Sequence, residues 1–199
     1  MSSNGVTMPS SEEALTRLIA GNERYVDSAL AHPNQTAERR AELGGGQHPF
    51  AIILGCADSR VSPEVVFDQG LGDLFVIRVA GNIIDDVVLG SIEYAAEHLH
   101  TPLIVVLGHS KCGAVGATVA GGELGGHLPS LAEAIQPAVE SVRGQDGDLL
   151  DNSVRANAKM VAEQLRASDP VLSKLVEAGG LKVVAARYDL DSGKVDILA

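Results

Sequence analysis

The segment FAIILGCADSR, residues 50–60, begins as a continuous apolar run and ends with a cysteine, an aspartate and an arginine at alternate positions. A short apolar run closed by a glycine is typical of a strand that is buried on both faces of a sheet. The run from Leu103 to Leu107 repeats the pattern, because Gly108 closes it and a polar stretch and an Ala/Val-rich helical segment follow. The two runs therefore predict parallel strands that lead into helices.

The rest of the chain predicts further elements of the same kind. Residues 73–82 indicate a third strand, and the alternating C-terminal segment with a turn at Asp191 to Gly193 indicates a hairpin. Apolar periodicity predicts helices in the stretches 10–26, 36–43, 85–100, 129–142 and 149–168. The predicted fold is α/β, with a mainly parallel central sheet of four strands plus an antiparallel edge strand, flanked by helices.

Length and composition favour one domain with an aliphatic core. The chain has 199 residues, of which only 3% are aromatic, and it contains no tryptophan. Residues 1–10 are small and polar and predict a flexible N-terminal tail, so residues 11–199 form a single α/β domain with an N-terminal helical arm. A net charge of −11 argues against nucleic acid and membrane surfaces as partners. The N-terminus has no pattern of a signal peptide, which predicts a cytoplasmic protein.

The two cysteines follow the two predicted strands at the edge where α/β proteins bind ligands. Cys56 follows the first strand, while His109 and Cys112 lie three positions apart after the second. Two thiolates and an imidazole are ligands that Zn²⁺ prefers, and three protein ligands leave a fourth position open. Each cysteine alone would more often be a small buried hydrophobe, and a redox pair is the main alternative, although the two are not in a Cys-x-x-Cys arrangement. Their joint position favours zinc.

Asp58 and Arg60 fit the same site. If Cys56, Asp58 and Arg60 share one side of an extended segment, the carboxylate can reach the open metal position and the guanidinium can reach the carboxylate. Arg60 would then hold Asp58 away from the zinc. The alternative is an ordinary ion pair that stabilises a loop.

The elements CADSR and GHSKCGA resemble those of the β-class carbonic anhydrases, in particular bacterial members, over most of the stretch from Gln47 to Ala114. The resemblance implies reversible hydration of CO₂ to bicarbonate and a proton by a lyase that holds one Zn²⁺ per subunit. It implies Cys56, His109 and Cys112 as permanent ligands. It also implies that Asp58 either occupies the fourth metal position, which closes the site, or pairs with Arg60 and admits water.

The same resemblance implies a substrate pocket and an assembly. The family's pocket positions correspond here to Gln47, Phe75, Ala80, Tyr94 and Gly113. Gln47 would hydrogen-bond bicarbonate, while Phe75, Ala80 and Tyr94 would form an apolar site for CO₂. In the family this pocket lies at a dimer interface, so a homodimer or homotetramer is implied.

Two other functions are compatible with these residues. A related zinc hydrolase could use the same constellation on CS₂ or COS, with access to the pocket deciding between substrates. A zinc-binding regulatory module without catalysis is the alternative from another class, and the presence of Asp58, Arg60 and Gln47 argues against it.

Overall fold

A computed structural model describes residues 7–198. Within these residues, a five-stranded sheet has helices on both faces. Its strands are β1 (Ala51–Gly55), β2 (Leu74–Arg78), β3 (Leu103–His109), β4 (Lys182–Tyr188) and β5 (Val195–Leu198). The α-helices are α1 (Ser11–Val26), α2 (Ala37–Glu42), α3 (Pro63–Val66), α4 (Asp86–Glu93), α5 (Gly113–Ala120), α6 (Leu128–Val142), α7 (Leu149–Arg166) and α8 (Leu172–Glu177).

The order of strands in the sheet is β2-β1-β3-β4-β5. The pairs β1–β2, β1–β3 and β3–β4 are parallel, and only β4–β5 is antiparallel. The predicted fold class is confirmed. The carboxyl ends of β1 and β3 are neighbours, with Gly55 opposite Leu107, so the segments that follow these two strands begin side by side.

Alternate residues of the central strands pack on opposite faces of the sheet. Ile53 and Val105 contact the layer that contains α1, whereas Ile52 and Ile104 contact the layer that contains α4, α7 and α8. All four side chains are completely buried. Burial on both faces explains why these strands are continuous apolar runs rather than alternating sequences.

The structure differs from the sequence prediction in two elements. The strand predicted at 73–82 ends at Arg78, because a 3₁₀ turn at Ala80–Asn82 follows in which Gly81 has a φ of 76°. Helix α8 is an additional element, six residues long. The tail predicted at 1–10 lies largely outside the described residues, and the division into tail and single domain stays a prediction.

Among residues 7–198, no helix combines the length and apolar character needed to cross a bilayer.

Asp68 lies in the turn after α3 and connects that turn to α1 and to the segment after α1. Its carboxylate accepts hydrogen bonds from the N–H groups of Ala31 and His32 at 2.9 and 3.0 Å and from Arg24 Nε at 2.6 Å. Burial alone would raise the pKa of this carboxyl, but these donors outweigh it, so the pKa of Asp68 lies below its ordinary value.

Asp68→Asn is therefore expected to lower the free energy of unfolding at neutral pH by about 1–3 kcal/mol. Because the folded-state pKa is depressed, the contribution is present above the unfolded pKa of about 3.9 and is lost as pH falls through the folded value. Urea titrations of both proteins at neutral pH and below pH ~4 should show the difference shrink with acid. Glu12→Gln, which breaks an exposed pair with Lys182, is the control and should cost less than about 1 kcal/mol.

Candidate functional site

Three buried side chains converge beyond the ends of β1 and β3. Cys56 directly follows β1, His109 is the last residue of β3, and Cys112 is the N-cap residue of α5. One ligand atom from each, the two sulfurs and an imidazole nitrogen, lie within 4.8 Å of one another. The three residues are at most 4% exposed. The predicted cluster is confirmed as a geometry that can hold one metal ion.

One imidazole nitrogen of His109 forms a hydrogen bond, and the other is available to bind a metal ion. Nδ1 lies 2.9 Å from the carbonyl oxygen of Ser110, which can only accept, so Nδ1 carries the proton. Nε2 is buried and has no hydrogen-bond partner among the described residues. A buried lone pair without a partner is unfavourable unless a cation occupies the site. The Ser110 carbonyl selects the tautomer that a metal ligand requires.

The two thiols influence each other's ionisation. A hydrogen bond from Cys112 lowers the pKa of Cys56 against the effect of burial, and the Gly81 N–H acts in the same direction. The hydrogen bond to Cys56 and burial raise the pKa of Cys112. One buried thiolate thus opposes formation of the second, and a divalent cation would remove this opposition. The donor set fits zinc.

Asp58 and Arg60 form a two-point ion pair beside this cluster. Arg60 Nε and Nη2 donate to Asp58 Oδ1 and Oδ2 at 2.9 and 2.7 Å. This pairing is the main reason that the pKa of Asp58 lies far below its usual range. Asp58 Oδ2 lies 3.9 Å from His109 Nε2, so the carboxylate borders the metal cluster while Arg60 holds it.

The backbone of this segment differs from the predicted extended conformation. Residues 58–61 form a turn, in which the Arg60 N–H donates to Asp58 Oδ1 and the Val61 N–H donates to the Asp58 carbonyl. An aspartate that accepts a bond from the N–H two residues later favours such a turn. The ion pair is therefore formed within one tight turn rather than along one side of a strand.

The expected pocket residues are only partly brought together. The ring of Phe75 on β2 lies 6.3 Å from that of Tyr94, which is 48% exposed. Ala80 begins the turn after β2, and Gly113 follows the ligand position 112. Gln47 is exposed, and its neighbours line a surface cavity with Arg17 and Asp73 rather than with the metal cluster.

Comparison with known proteins agrees with this geometry. A family model described as carbonic anhydrase matches residues 51–195. Carbonic anhydrase 2 of Mycobacterium tuberculosis is 45% identical over 181 residues, which cover 89% of this chain and 87% of that protein. Carbonic anhydrase of Mycolicibacterium smegmatis is 40% identical over 196 residues, which cover 96% and 95%.

The chain belongs to the β-carbonic anhydrase family. A solved structure of the Coccomyxa β-carbonic anhydrase in complex with acetazolamide is also similar, with a TM-score of 0.75 and 26% identity over 92% of this chain and 86% of that one. The protein is thus a zinc-dependent carbonate dehydratase, which hydrates CO₂ reversibly. Neither a CS₂ or COS hydrolase nor a non-catalytic zinc module is favoured.

Arg78 is a site residue of this carbonic anhydrase that the sequence did not indicate. It is the last residue of β2, and its Nε and Nη2 donate to the carbonyl oxygens of Cys56 and Asp58 at 2.9 and 2.6 Å. These bonds fix the backbone between Cys56 and the Asp58 carboxylate. The only sequence signal is an arginine within the strand predicted at 73–82, and strand order is needed to show that this strand adjoins β1.

Proposed function

We propose that this carbonic anhydrase binds zinc through Cys56, His109 and Cys112 and that Asp58 and Arg60 are its catalytic pair. The proposal rests on His109 Nε2, which is buried and has no hydrogen-bond partner among the described residues. This nitrogen lies close to the sulfurs of Cys56 and Cys112 and 3.9 Å from Asp58 Oδ2. A carboxylate at that distance from a ligand atom can contact a molecule in an open metal position. With Arg60 occupying both of its oxygens, Asp58 leaves that position free for substrate.

Bound zinc would supply Lewis acidity, which lowers the pKa of water towards neutrality. The Asp58 carboxylate can accept a hydrogen bond from the attacking water and so direct an oxygen lone pair at the carbon of CO₂. Arg60 keeps the carboxylate ionised and oriented, and Arg78 holds the backbone on which both depend. The proton released on hydration passes to buffer or solvent.

We propose that CO₂ binds against an apolar surface formed by Phe75, Ala80 and Tyr94, with Gly113 beside the metal and Gln47 as hydrogen-bond donor to bicarbonate. The contact between the Phe75 and Tyr94 rings supports the apolar part. Because Tyr94 is half exposed and Gln47 lies beside another cavity, one copy of the chain does not enclose this pocket. A second subunit would complete it.

The proposed assembly is accordingly a homodimer or a homotetramer. Exposed apolar side chains support it, since Val87 is 78% exposed and Leu71 is 44% exposed. The cytoplasm is the proposed location, because the buried free thiols of Cys56 and Cys112 must stay reduced to bind metal. Light scattering after gel filtration would measure the assembly.

Stopped-flow CO₂ hydration tests the function. Zinc-loaded protein should accelerate hydration, chelation should reduce the rate to that of the buffer, and added zinc should restore it. Turnover of CS₂ should be negligible under the same conditions. Faster turnover of CS₂ than of CO₂ would instead indicate the related hydrolase, and zinc-loaded protein without either activity would contradict the proposal.

A further inference from the structure

A backbone N–H from the turn after β2 contacts the first cysteine. The Gly81 N–H donates to Cys56 Sγ at 3.3 Å in a buried environment. Gly81 has a φ of 76°, and a Cβ at this position would lie 2.7 Å from Ile135 Cδ1. The positive φ therefore favours glycine, and a larger residue would also have to displace the end of the Ile135 side chain. A hydrogen bond to a thiolate favours the charged form and reduces electron donation by the sulfur.

Glycine is flexible, so a separate contact must hold this turn in place. Asn157 on α7 donates from Nδ2 to the Gly81 carbonyl oxygen at 2.8 Å, also in a buried environment. The two hydrogen bonds lie on either side of the Gly81 Cα. Asn157 therefore limits rotation of the residue whose N–H contacts Cys56.

The surroundings of Asn157 make a purely structural role unfavourable. The residue is 1% exposed, and the neighbouring Val154, Ala158 and Val161 on the same helix face are buried and apolar. Its Oδ1 has no hydrogen-bond partner among residues 7–198. A buried amide with an unsatisfied oxygen destabilises a fold, and such local conflicts are expected where function requires them.

We infer that Asn157 is a positioning residue for the metal site, acting through Gly81 on the Cys56 thiolate. The inference rests on the proposed zinc ligands. Loss of a contact that orients a metal ligand without touching the metal typically weakens metal binding by about 10–100-fold. The Asn157 side chain contacts the Gly81 carbonyl rather than a proposed ligand, so it affects the metal site only through the orientation of the Gly81 N–H toward Cys56 Sγ.

Asn157→Ala tests this role in the full-length protein. Competition with a chromophoric chelator should show zinc binding weakened by about 10–100-fold. In cobalt-substituted protein the thiolate-to-metal charge-transfer band should move to longer wavelength, because a weakened hydrogen bond from the Gly81 N–H raises the energy of the Cys56 sulfur lone pair. Ser153→Ala is the matched control, since it removes a partly buried hydrogen bond within α7, to the Leu149 carbonyl, without reaching the site. It should change neither readout.

Three results would overturn the role of Asn157 without affecting the proposed ligands. One is a zinc affinity within about twofold of wild type with an unshifted band. Another is failure of both Asn157→Ala and Asn157→Ser to fold, which would make the residue structural. In wild-type protein loaded with NMR-active cadmium, the Gly81 amide proton should couple to the metal, and absence of coupling would also overturn the inference. A wild-type protein that binds no zinc would refute the ligand set itself.

Discussion

Cys112→Ser is expected to yield protein without zinc and to reduce CO₂ hydration to the rate of the buffer. A serine hydroxyl does not ionise at neutral pH, so the site loses a thiolate and keeps only Cys56 and His109 as strong ligands. In the wild-type structure both are at most 4% exposed, and His109 Nε2 has no hydrogen-bond partner among the described residues, so loss of zinc leaves buried polar groups unsatisfied. The variant should therefore be less stable than the zinc-loaded wild type, because zinc that binds only the folded state stabilises it by an amount that rises with the logarithm of free zinc over Kd.

Metal analysis of purified protein and thermal unfolding with and without chelator measure these effects. At a free zinc concentration of 100 times Kd, zinc binding raises the free energy of unfolding of the wild type by about 2.7 kcal/mol. Chelator should remove this difference in stability between wild type and Cys112→Ser. Thr118→Ser is a control on the same helix, because it keeps the hydroxyl that donates to the Ala114 carbonyl. Stoichiometric zinc in Cys112→Ser would show that Cys112 is not a ligand.

The parts of the site that follow two strands directly could be predicted from the sequence. Cys56 and His109 adjoin buried apolar runs, and parallel strands bring their carboxyl ends to one edge, so proximity followed from the fold class. The spacing from His109 to Cys112 placed the third ligand at the start of a helix. Local chemistry and strand polarity were sufficient for these residues.

Contacts that join distant segments could not be predicted in this way. Asn157 reaches Gly81 across 76 positions, and on its helix it is one polar residue among several. The role of Arg78 depends on β2 lying beside β1, which the order of strands along the chain does not specify. The early end of β2 has the same origin, because the Gly81 turn accepts its hydrogen bond from Asn157 of α7, a residue distant in sequence.

Asp58→Asn is expected to retain zinc and to lower kcat/KM for CO₂ hydration by about 10²-fold or more. Asparagine has nearly the same shape, and the three proposed ligands are unchanged. Its amide nitrogen, however, cannot accept a hydrogen bond from Arg60 or from water, so the two-point pairing with Arg60 is lost. The attacking water would then lack the acceptor that orients it.

The pH dependence separates this role from proton transfer by Asp58 itself. Because Arg60 holds the pKa of Asp58 far below its usual range, the carboxylate is ionised throughout the range in which the enzyme is assayed. The rate ratio of wild type to Asp58→Asn should therefore be the same at about pH 6.5 and at about pH 9. A ratio that grows or falls steeply with pH would show that Asp58 exchanges a proton during turnover.

A control and a double variant decide whether Asp58 acts together with Arg60. Asp191→Asn is the control, because the Asp191 carboxylate is also paired with a basic side chain, Lys111, but is 72% exposed. Its activity should stay within about twofold of wild type. If Asp58 and Arg60 act as one unit, Asp58→Asn combined with Arg60→Gln should be hardly slower than either single variant, because each change already disables the pair. Additive losses would mean that Arg60 contributes separately, for example through its hydrogen bond to the Lys111 carbonyl at 3.4 Å. Normal turnover by zinc-loaded Asp58→Asn would exclude the carboxylate from catalysis and leave its ion pair a structural feature of the turn.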